Sequence, residues 1–160
     1  MQYGMYASGV HGYLSSVKSA VVRHSARVLL FEPDHAIAWL LREVLGDEGI
    51  EVTSCASLAD INTRLFEFPG AVVISDAWSR AGQPDLSDDE QQCILNLATR
   101  ARLIVTTARQ WAHRPEECTL GEGITVIAKP FDLDELVSAV KQAGKGLPNS
   151  PDPWCGLRRR

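Results

Sequence analysis

The stretch Ala71-Val72-Val73-Ile74-Ser75-Asp76 is the most uniformly apolar and β-branched run in the chain, and it ends on a carboxylate. A run of this kind is typical of a strand that is buried on both faces of a parallel sheet. It predicts a central strand over 71–75, with Asp76 at the carboxyl end of that strand. Ligands of open parallel sheets bind beyond the carboxyl ends of the strands. Asp76 is therefore the first candidate functional residue.

The sequence on both sides of this run repeats a pattern of apolar strand followed by helix. Short apolar runs predict four further strands, at 28–31, 50–55, 103–106 and 124–128. Apolar residues at helical spacing, with capping residues and glycine stops, predict helices at 37–45, 58–68, 88–98 and 133–143. A fifth helix is predicted within 108–123, where Trp111 and Leu120 are the strong apolar anchors.

The alternation of strands and helices predicts an α/β fold, a doubly wound five-stranded parallel sheet with helices on both faces. The pattern spans residues 26–143 as one domain. Residues 1–25 have no sustained apolar period and predict a flexible N-terminal arm. Residues 144–160 hold several Pro and Gly residues before Arg158-Arg159-Arg160 and predict a disordered C-terminal tail.

Composition excludes several classes of protein. A chain of 160 residues with 45% hydrophobic and 22% charged residues is typical of one globular domain. The 10 basic and 19 acidic residues within 26–143 argue against direct DNA binding by the domain. The four cysteines have neither zinc nor disulfide spacing. The longest apolar run has six residues, against the roughly 20 of a membrane span, and no signal sequence is evident, so we expect a cytoplasmic protein.

The ends of four predicted strands carry side chains suited to phosphoryl chemistry. Glu32 and Asp34 follow the first strand, and Asp76 follows the third. Thr107 and Lys129 follow the fourth and fifth. Carboxylates suit Mg²⁺, a hydroxyl and an ammonium can hold phosphoryl oxygens, and an aspartate can accept a phosphoryl group as an acyl phosphate. Taken singly, each residue could be a cap, a turn former or a surface charge, so the prediction depends on their conjunction.

The same residues stand in motifs that resemble those of the response-regulator receiver domain of two-component signalling. The motifs are Val-Leu-Leu-Phe-Glu32-Pro33-Asp34, Val-Val-Ile-Ser-Asp76, Ile-Val-Thr-Thr107-Ala and Ile-Ala-Lys129-Pro130-Phe131. Their separations, 44 residues from Glu32 to Asp76, 31 to Thr107 and 22 to Lys129, are typical of that family. The resemblance covers about residues 26–143.

The resemblance implies a flavodoxin-like sheet with strand order 2-1-3-4-5. It implies that Asp76 accepts a phosphoryl group from a histidine kinase or phosphotransfer protein, and that Thr107 and Lys129 bind the phosphoryl oxygens. Mg²⁺ would be held by Glu32 and Asp76, with Asp34 as a further ligand. The bond between Lys129 and Pro130 is expected to be cis.

A protein of this kind would be a stand-alone signalling domain rather than an enzyme, at most catalysing its own phosphorylation and dephosphorylation. It would signal through contact with a downstream protein target, and the resemblance allows a homodimer. Two departures leave an alternative open, a pseudo-receiver that acts as an interaction module without phosphorylation. Pro33 replaces one of the usual acidic pair, and Val126 stands where an aromatic residue is common.

Two further points stay open in the sequence. An enzyme of flavodoxin-like topology is a third alternative, but the chain lacks phosphate-binding loops and a second acid two residues after Asp76. Trp78 and Trp111 are compatible with core packing or with contact to a partner.

Overall fold

The structure of the protein, a computed structural model, describes residues 26–79, 84–114, 120–121 and 123–145. The first half contains β1 (Arg27–Phe31), α1 (His35–Asp47), β2 (Glu51–Ser54), α2 (Leu58–Glu67) and β3 (Val72–Ser75). The second half contains α3 (Asp88–Ala98), β4 (Arg102–Thr107), a 3₁₀ turn (Gln110–His113), β5 (Ile124–Ala128) and α4 (Leu133–Lys145). The predicted N-terminal arm, and the predicted tail from residue 146 onward, lie outside the described residues.

The five strands form one parallel sheet in the order β2-β1-β3-β4-β5. β3 is the central strand and all of its residues are buried, as its uniformly apolar sequence predicts. Its register places Val72 beside Val28 of β1 and beside Arg102 of β4. The predicted α/β fold with strand order 2-1-3-4-5 is confirmed.

Alternation along β3 directs side chains into two cores, one on each face of the sheet. Val73 packs on one face in a core that includes Ile61 of α2 and Ile94 of α3. Val72 and Ile74 pack on the opposite face. The helical residues buried in that second core are Leu41, Leu45, Leu136, Val137 and Val140. Because helices cover both faces, both rows of side chains on β3 are buried and most of its residues are apolar.

Local capping explains where the helices begin. The Oγ of Ser57 accepts a hydrogen bond from the N–H of Asp60 at 3.1 Å, at the start of α2. At the start of α3, the N–H of Glu90 donates to Ser87 Oγ at 3.3 Å and the N–H of Ser87 donates to Glu90 Oε2 at 2.9 Å. This reciprocal pair is the capping box that the sequence predicts. Gly49, with φ of 74°, follows the C-terminal end of α1 as predicted.

The connection from β4 to β5 differs from the predicted helix over 108–123, and that prediction is wrong. Its described residues contain a 3₁₀ turn and no α-helix. Trp111 and Leu120 are buried in the same core as Val73. An amphipathic helix needs an apolar residue at every third or fourth position, and the described residues of this segment have only two large, buried apolar side chains. Trp111 and Leu120 therefore pack into the core separately. The described residues therefore form four α-helices instead of five.

The end of α4 also differs from its prediction. The helix runs to Lys145, so Gly144 lies within it and does not end it. A Cβ at position 144 would lie 3.1 Å from the Cβ of Ala26. Glycine therefore permits the close approach of α4 to the residue that precedes β1. In the described part of the chain, no helix combines the length and the apolar content needed to cross a membrane.

Candidate functional site

Four strands bring polar side chains to one edge of the sheet. β1 leads into Glu32, β3 leads into Asp76, β4 ends at Thr107 and β5 leads into Lys129. Backbone hydrogen bonds continue past the strand ends. The N–H of Asp76 donates to the carbonyl of Phe31 at 2.9 Å, and the N–H of Lys129 donates to the carbonyl of Thr107 at 2.7 Å. These bonds keep the backbones of the candidate residues in adjacent rows.

Lys129 joins Glu32 and Asp76 into one charge cluster. Its Nζ donates to Glu32 Oε2 at 2.7 Å and to Asp76 Oδ2 at 2.7 Å. The side chains are largely buried, with exposed fractions of 16% for Lys129, 2% for Glu32 and 9% for Asp76. Burial alone would lower the pKa of Lys129, but the hydrogen bonds and charges of the two carboxylates outweigh it and raise that pKa. Lys129 therefore stays cationic at neutral pH.

The two carboxylate oxygens of Asp76 differ in their hydrogen bonds. Oδ2 accepts the hydrogen bond from Lys129, whereas the buried Oδ1 has no hydrogen-bond partner among the described residues. An unsatisfied buried acceptor costs about 1–3 kcal/mol. Oδ1 is therefore the atom of the charge cluster whose lone pairs are available to a cation or an electrophile.

Thr107 reaches the site through other contacts. It is fully buried, and its Oγ1 accepts hydrogen bonds from Ser79 Oγ at 3.0 Å and from the N–H of Arg109 at 3.2 Å. Its carbonyl binds the N–H of Lys129. Thr107 is therefore linked to the charge cluster through the backbone, and its hydroxyl is linked to the turn that follows Asp76.

Asp34 caps a helix and does not join the charge cluster. Its Oδ1 accepts hydrogen bonds from the N–H groups of Ala36 at 2.8 Å and Ile37 at 3.1 Å, which begin α1. Its own N–H donates to Glu32 Oε1 at 3.0 Å. The side chain of Asp34 is thus used as an N-cap, and its backbone orients Glu32. The expected position of Asp34 beside the other metal ligands is not observed.

The residues present fit Mg²⁺ through two carboxylates. Mg²⁺ in phosphoryl-transfer sites is commonly bound by one or two carboxylates together with waters and substrate phosphates. Glu32 and Asp76 supply two carboxylates that meet at Lys129, and Asp76 Oδ1 is unsatisfied among the described residues. Within these same ranges, no group of three or more His, Cys, Asp or Glu side chains could hold a metal. At such a site, waters and phosphoryl oxygens would supply the remaining ligands of Mg²⁺.

A largely buried ion pair that the sequence does not predict joins Arg109, two residues after Thr107, to Glu90 of α3. Arg109 is 5% exposed, and its Nη1 donates to the carbonyl of Trp78 at 3.0 Å and to both carboxylate oxygens of Glu90 at 3.1 Å. Burial alone would raise the pKa of Glu90, but hydrogen bonds from Ser87 and Arg109 outweigh it and lower that pKa. The pair ties α3 to the turn after Asp76 and to the segment after β4.

The sequence also raised expectations about the Lys129–Pro130 bond, two tryptophans and Val126. The peptide bond between Lys129 and Pro130 is cis, as the resemblance implies. Trp78 and Trp111 are each 3% exposed and belong to a core, so neither is a surface aromatic. Val126 is half-buried against that same core.

No family model matches the sequence, and no curated protein matches it. A response regulator from Thermotoga maritima is 17% identical with a TM-score of 0.59, over 76% of this chain and 98% of that chain. A response regulator receiver protein from Sinorhizobium medicae is 18% identical with a TM-score of 0.56, over 77% and 97%.

The chain has the receiver-domain fold. The structure of an adenylate cyclase from Rhodopirellula baltica is also similar, at 17% identity and a TM-score of 0.57, over 76% of this chain and 88% of that chain. Because identities of this size establish architecture alone, the activity must be argued from the site. In the receiver fold the strand order reverses at β1 and β3, and ligands of doubly wound sheets bind at such switch points. Glu32 and Asp76 lie at this switch point.

Proposed function

We propose that the protein is a response-regulator receiver domain that accepts a phosphoryl group on Asp76 and signals through contact with other proteins. The observation that carries the proposal is the buried Asp76 carboxylate, with Oδ2 held by Lys129 and Oδ1 unbonded among the described residues. The donor is a histidine kinase or a histidine phosphotransfer protein in the cytoplasm.

The proposed reaction is a displacement at phosphorus. Asp76 Oδ1 forms the new O–P bond, and the bond from phosphorus to an imidazole nitrogen of the donor breaks. The electron pair stays on that nitrogen, and a proton on the other ring nitrogen lets the imidazole leave in neutral form. The product on this chain is an acyl phosphate. Water later hydrolyses it, which restores the carboxylate and releases inorganic phosphate.

In this proposal, residues of this chain would balance the charge of the phosphoryl group. Lys129 already binds the carboxylate that becomes phosphorylated, so its ammonium needs only a small shift to reach a phosphoryl oxygen. The hydroxyl of Thr107 supplies a hydrogen-bond donor at the end of the neighbouring strand. Glu32 and Asp76 would hold Mg²⁺, which supplies further neutralisation of phosphoryl charge when bound.

The proposed signal is a change in the surface near the ends of β4 and β5. A phosphoryl group brings up to about two negative charges to a buried site that already holds Glu32. Lys129 and Thr107, which are joined through their backbones, would follow the phosphoryl oxygens together. A downstream protein would recognise the resulting surface, and phosphorylation could also govern association with a second copy of the chain.

Incubation with Mg²⁺ and acetyl phosphate, followed by intact-mass measurement, tests the assignment. We expect one phosphoryl adduct on the wild type and none on Asp76→Asn. Asp47→Asn is the matched control, because Asp47 is an exposed aspartate at the end of α1. The control should gain the adduct as the wild type does. An adduct that persists in Asp76→Asn would contradict the role of Asp76.

A second function, an interaction module that works without phosphorylation, is favoured by the position of Asp34. Its capping role and the presence of Pro33 leave two carboxylates at the site, and Lys129 is already paired with both. This function predicts that the wild type gains no adduct from acetyl phosphate. It also predicts no Mg²⁺ binding by isothermal titration, whereas the first function requires both.

A further inference from the structure

Ser79 connects the segment that carries Asp76 to the end of β4. Its hydroxyl donates to Thr107 Oγ1 at 3.0 Å and, less closely, to the carbonyl of Thr106 at 3.5 Å. Its N–H donates to the carbonyl of Asp76 at 3.4 Å. Ser79 therefore belongs to the turn that follows Asp76 and is also bonded to the residue whose hydroxyl is expected to meet the phosphoryl group.

The hydrogen bonds of Thr107 account for both of its lone pairs. A hydroxyl group has one donor proton and two acceptor lone pairs. Thr107 Oγ1 accepts one bond from Ser79 Oγ and one from the N–H of Arg109. Neither bond uses the hydroxyl proton of Thr107. Because Thr107 is fully buried, the two acceptor bonds restrict the directions in which this proton can point.

We propose that Ser79 is a positioning residue that orients the hydroxyl of Thr107 toward a phosphoryl group on Asp76. Without Ser79, Thr107 has an unfilled lone pair and its hydroxyl can rotate away from the orientation that donates to phosphoryl oxygen. The proposal rests on the proposed phosphorylation of Asp76 and adds a residue to it. Ser79 acts through Thr107 and does not itself contact the phosphoryl group.

The geometry also couples the two sides of the site. Ser75 of β3 pairs in register with Val105 of β4, so Asp76 and Thr107 both lie just beyond that pair. Ser79 bridges the two chain segments directly after these positions. A shift of the turn after Asp76 is therefore transmitted to the Thr107 hydroxyl through one hydrogen bond.

The experiment compares initial rates of adduct formation with acetyl phosphate and Mg²⁺ for wild type, Ser79→Ala and Ser79→Thr. Loss of one orienting hydrogen bond should slow phosphorylation of Ser79→Ala by about fivefold. Ser79→Thr keeps a hydroxyl and should recover most of the rate. Ser79 is only partly buried in a turn, so thermal unfolding midpoints of both variants should match the wild type. Equal rates for wild type and Ser79→Ala would overturn the proposal.

A double-mutant cycle with Thr107→Ala separates positioning from a general effect of the turn. If Ser79 acts through Thr107, Ser79→Ala slows the wild type but leaves the rate of Thr107→Ala unchanged. The same slowing in both backgrounds would overturn the proposal. Should Thr107→Ala fail to fold, the comparison of Ser79→Ala with Ser79→Thr still decides it. No adduct on the wild type would refute the proposed function and this inference together, whereas a wild-type adduct with an unaffected Ser79→Ala refutes this inference alone.

Discussion

Lys129 is the residue on which the charge balance of the candidate site depends. Its ammonium is the counter-charge of two carboxylates at 2.7 Å each, and all three side chains are largely buried. Removing one partner from a buried ion pair leaves an uncompensated charge and commonly costs about 3–5 kcal/mol, a large part of the roughly 5–15 kcal/mol stability of a typical domain. A Lys129 variant could therefore lose phosphorylation because it unfolds, and its stability must be measured together with its phosphorylation.

We expect Lys129→Met to lower the free energy of unfolding by about 3 kcal/mol, as measured by urea unfolding at neutral pH. Adding Glu32→Gln should recover part of the loss, because it removes one of the two unpaired carboxylates. Lys141→Met is the control, since its ion pair with Glu48 is about half exposed. This control should change stability by less than about 1 kcal/mol. Equal losses of unfolding free energy in the two lysine variants would contradict a larger contribution from the buried ion pairs.

Glu90 is expected to make stability depend on pH in the acid range. Its pKa is lower in the folded protein than the ordinary value of 4.5. A carboxyl group of this kind stabilises the folded state above its unfolded pKa, and the contribution is lost as the pH falls through the folded pKa.

Glu90→Gln tests this expectation, because glutamine removes the charge but can still complete the capping box with Ser87. The variant should be less stable than the wild type by about 2 kcal/mol at neutral pH. The difference should shrink as the pH falls below 4.5. Urea unfolding of both proteins from roughly pH 3 to pH 7 measures it. A difference that stays constant over this range would contradict a charge-dependent role.

Among the elements, α1 combines a strong cap with an interior weakness. Asp34 caps its first turn, and Gly49 follows its last turn with φ of 74°. Gly46 lies inside the helix, and a Cβ built there meets no heavy atom within 4 Å. Glycine in a helix interior costs about 0.5–1 kcal/mol relative to alanine because it loses more backbone entropy on folding.

Gly46→Ala should therefore raise the free energy of unfolding by about 0.5–1 kcal/mol. Gly49→Ala is the opposing control. Open space also surrounds its Cβ, but its left-handed backbone strains an alanine, so it should destabilise the protein. Thermal or urea unfolding of the two variants measures both effects. Stabilisation by Gly49→Ala would contradict the backbone argument.

At the scale of the whole molecule, the sheet separates two cores that have different helices. Ile61 and Ile74 are fully buried in opposite cores, whereas Ile74 and Ile104 are neighbours in register on one face. Side chains that share a face share packing contacts, and those on opposite faces do not. Coupling between core substitutions should therefore follow the faces of the sheet.

We expect the destabilisations of Ile61→Val and Ile74→Val to add within about 0.5 kcal/mol. Each single change should cost about 0.5–1.5 kcal/mol. The pair Ile74→Val with Ile104→Val should depart from additivity by more than this, because both remove methylene groups from one packed region. Urea unfolding of singles and doubles measures the coupling. Equal coupling in the two pairs would contradict the division into two cores.

Several features of the molecule were predictable because they depend on residues close together in the chain. The apolar run before Asp76 predicts a doubly buried strand, and the capping box of Ser87 and Glu90 predicts the start of α3. The segment after β4 was not predictable, because isolated anchors such as Trp111 carry no period that indicates their conformation.

The sequence by itself determined the order of the elements, the parallel sheet and the polar residues at its carboxyl edge. Only the tertiary structure decided that Lys129 pairs with both Glu32 and Asp76 and that Ser79 bonds to Thr107. Strand and cap patterns are local, since each residue is recognised from its near neighbours. The direction of a strand-end side chain depends on which distant donor or acceptor the packed loops bring within hydrogen-bond distance, and no local pattern records that.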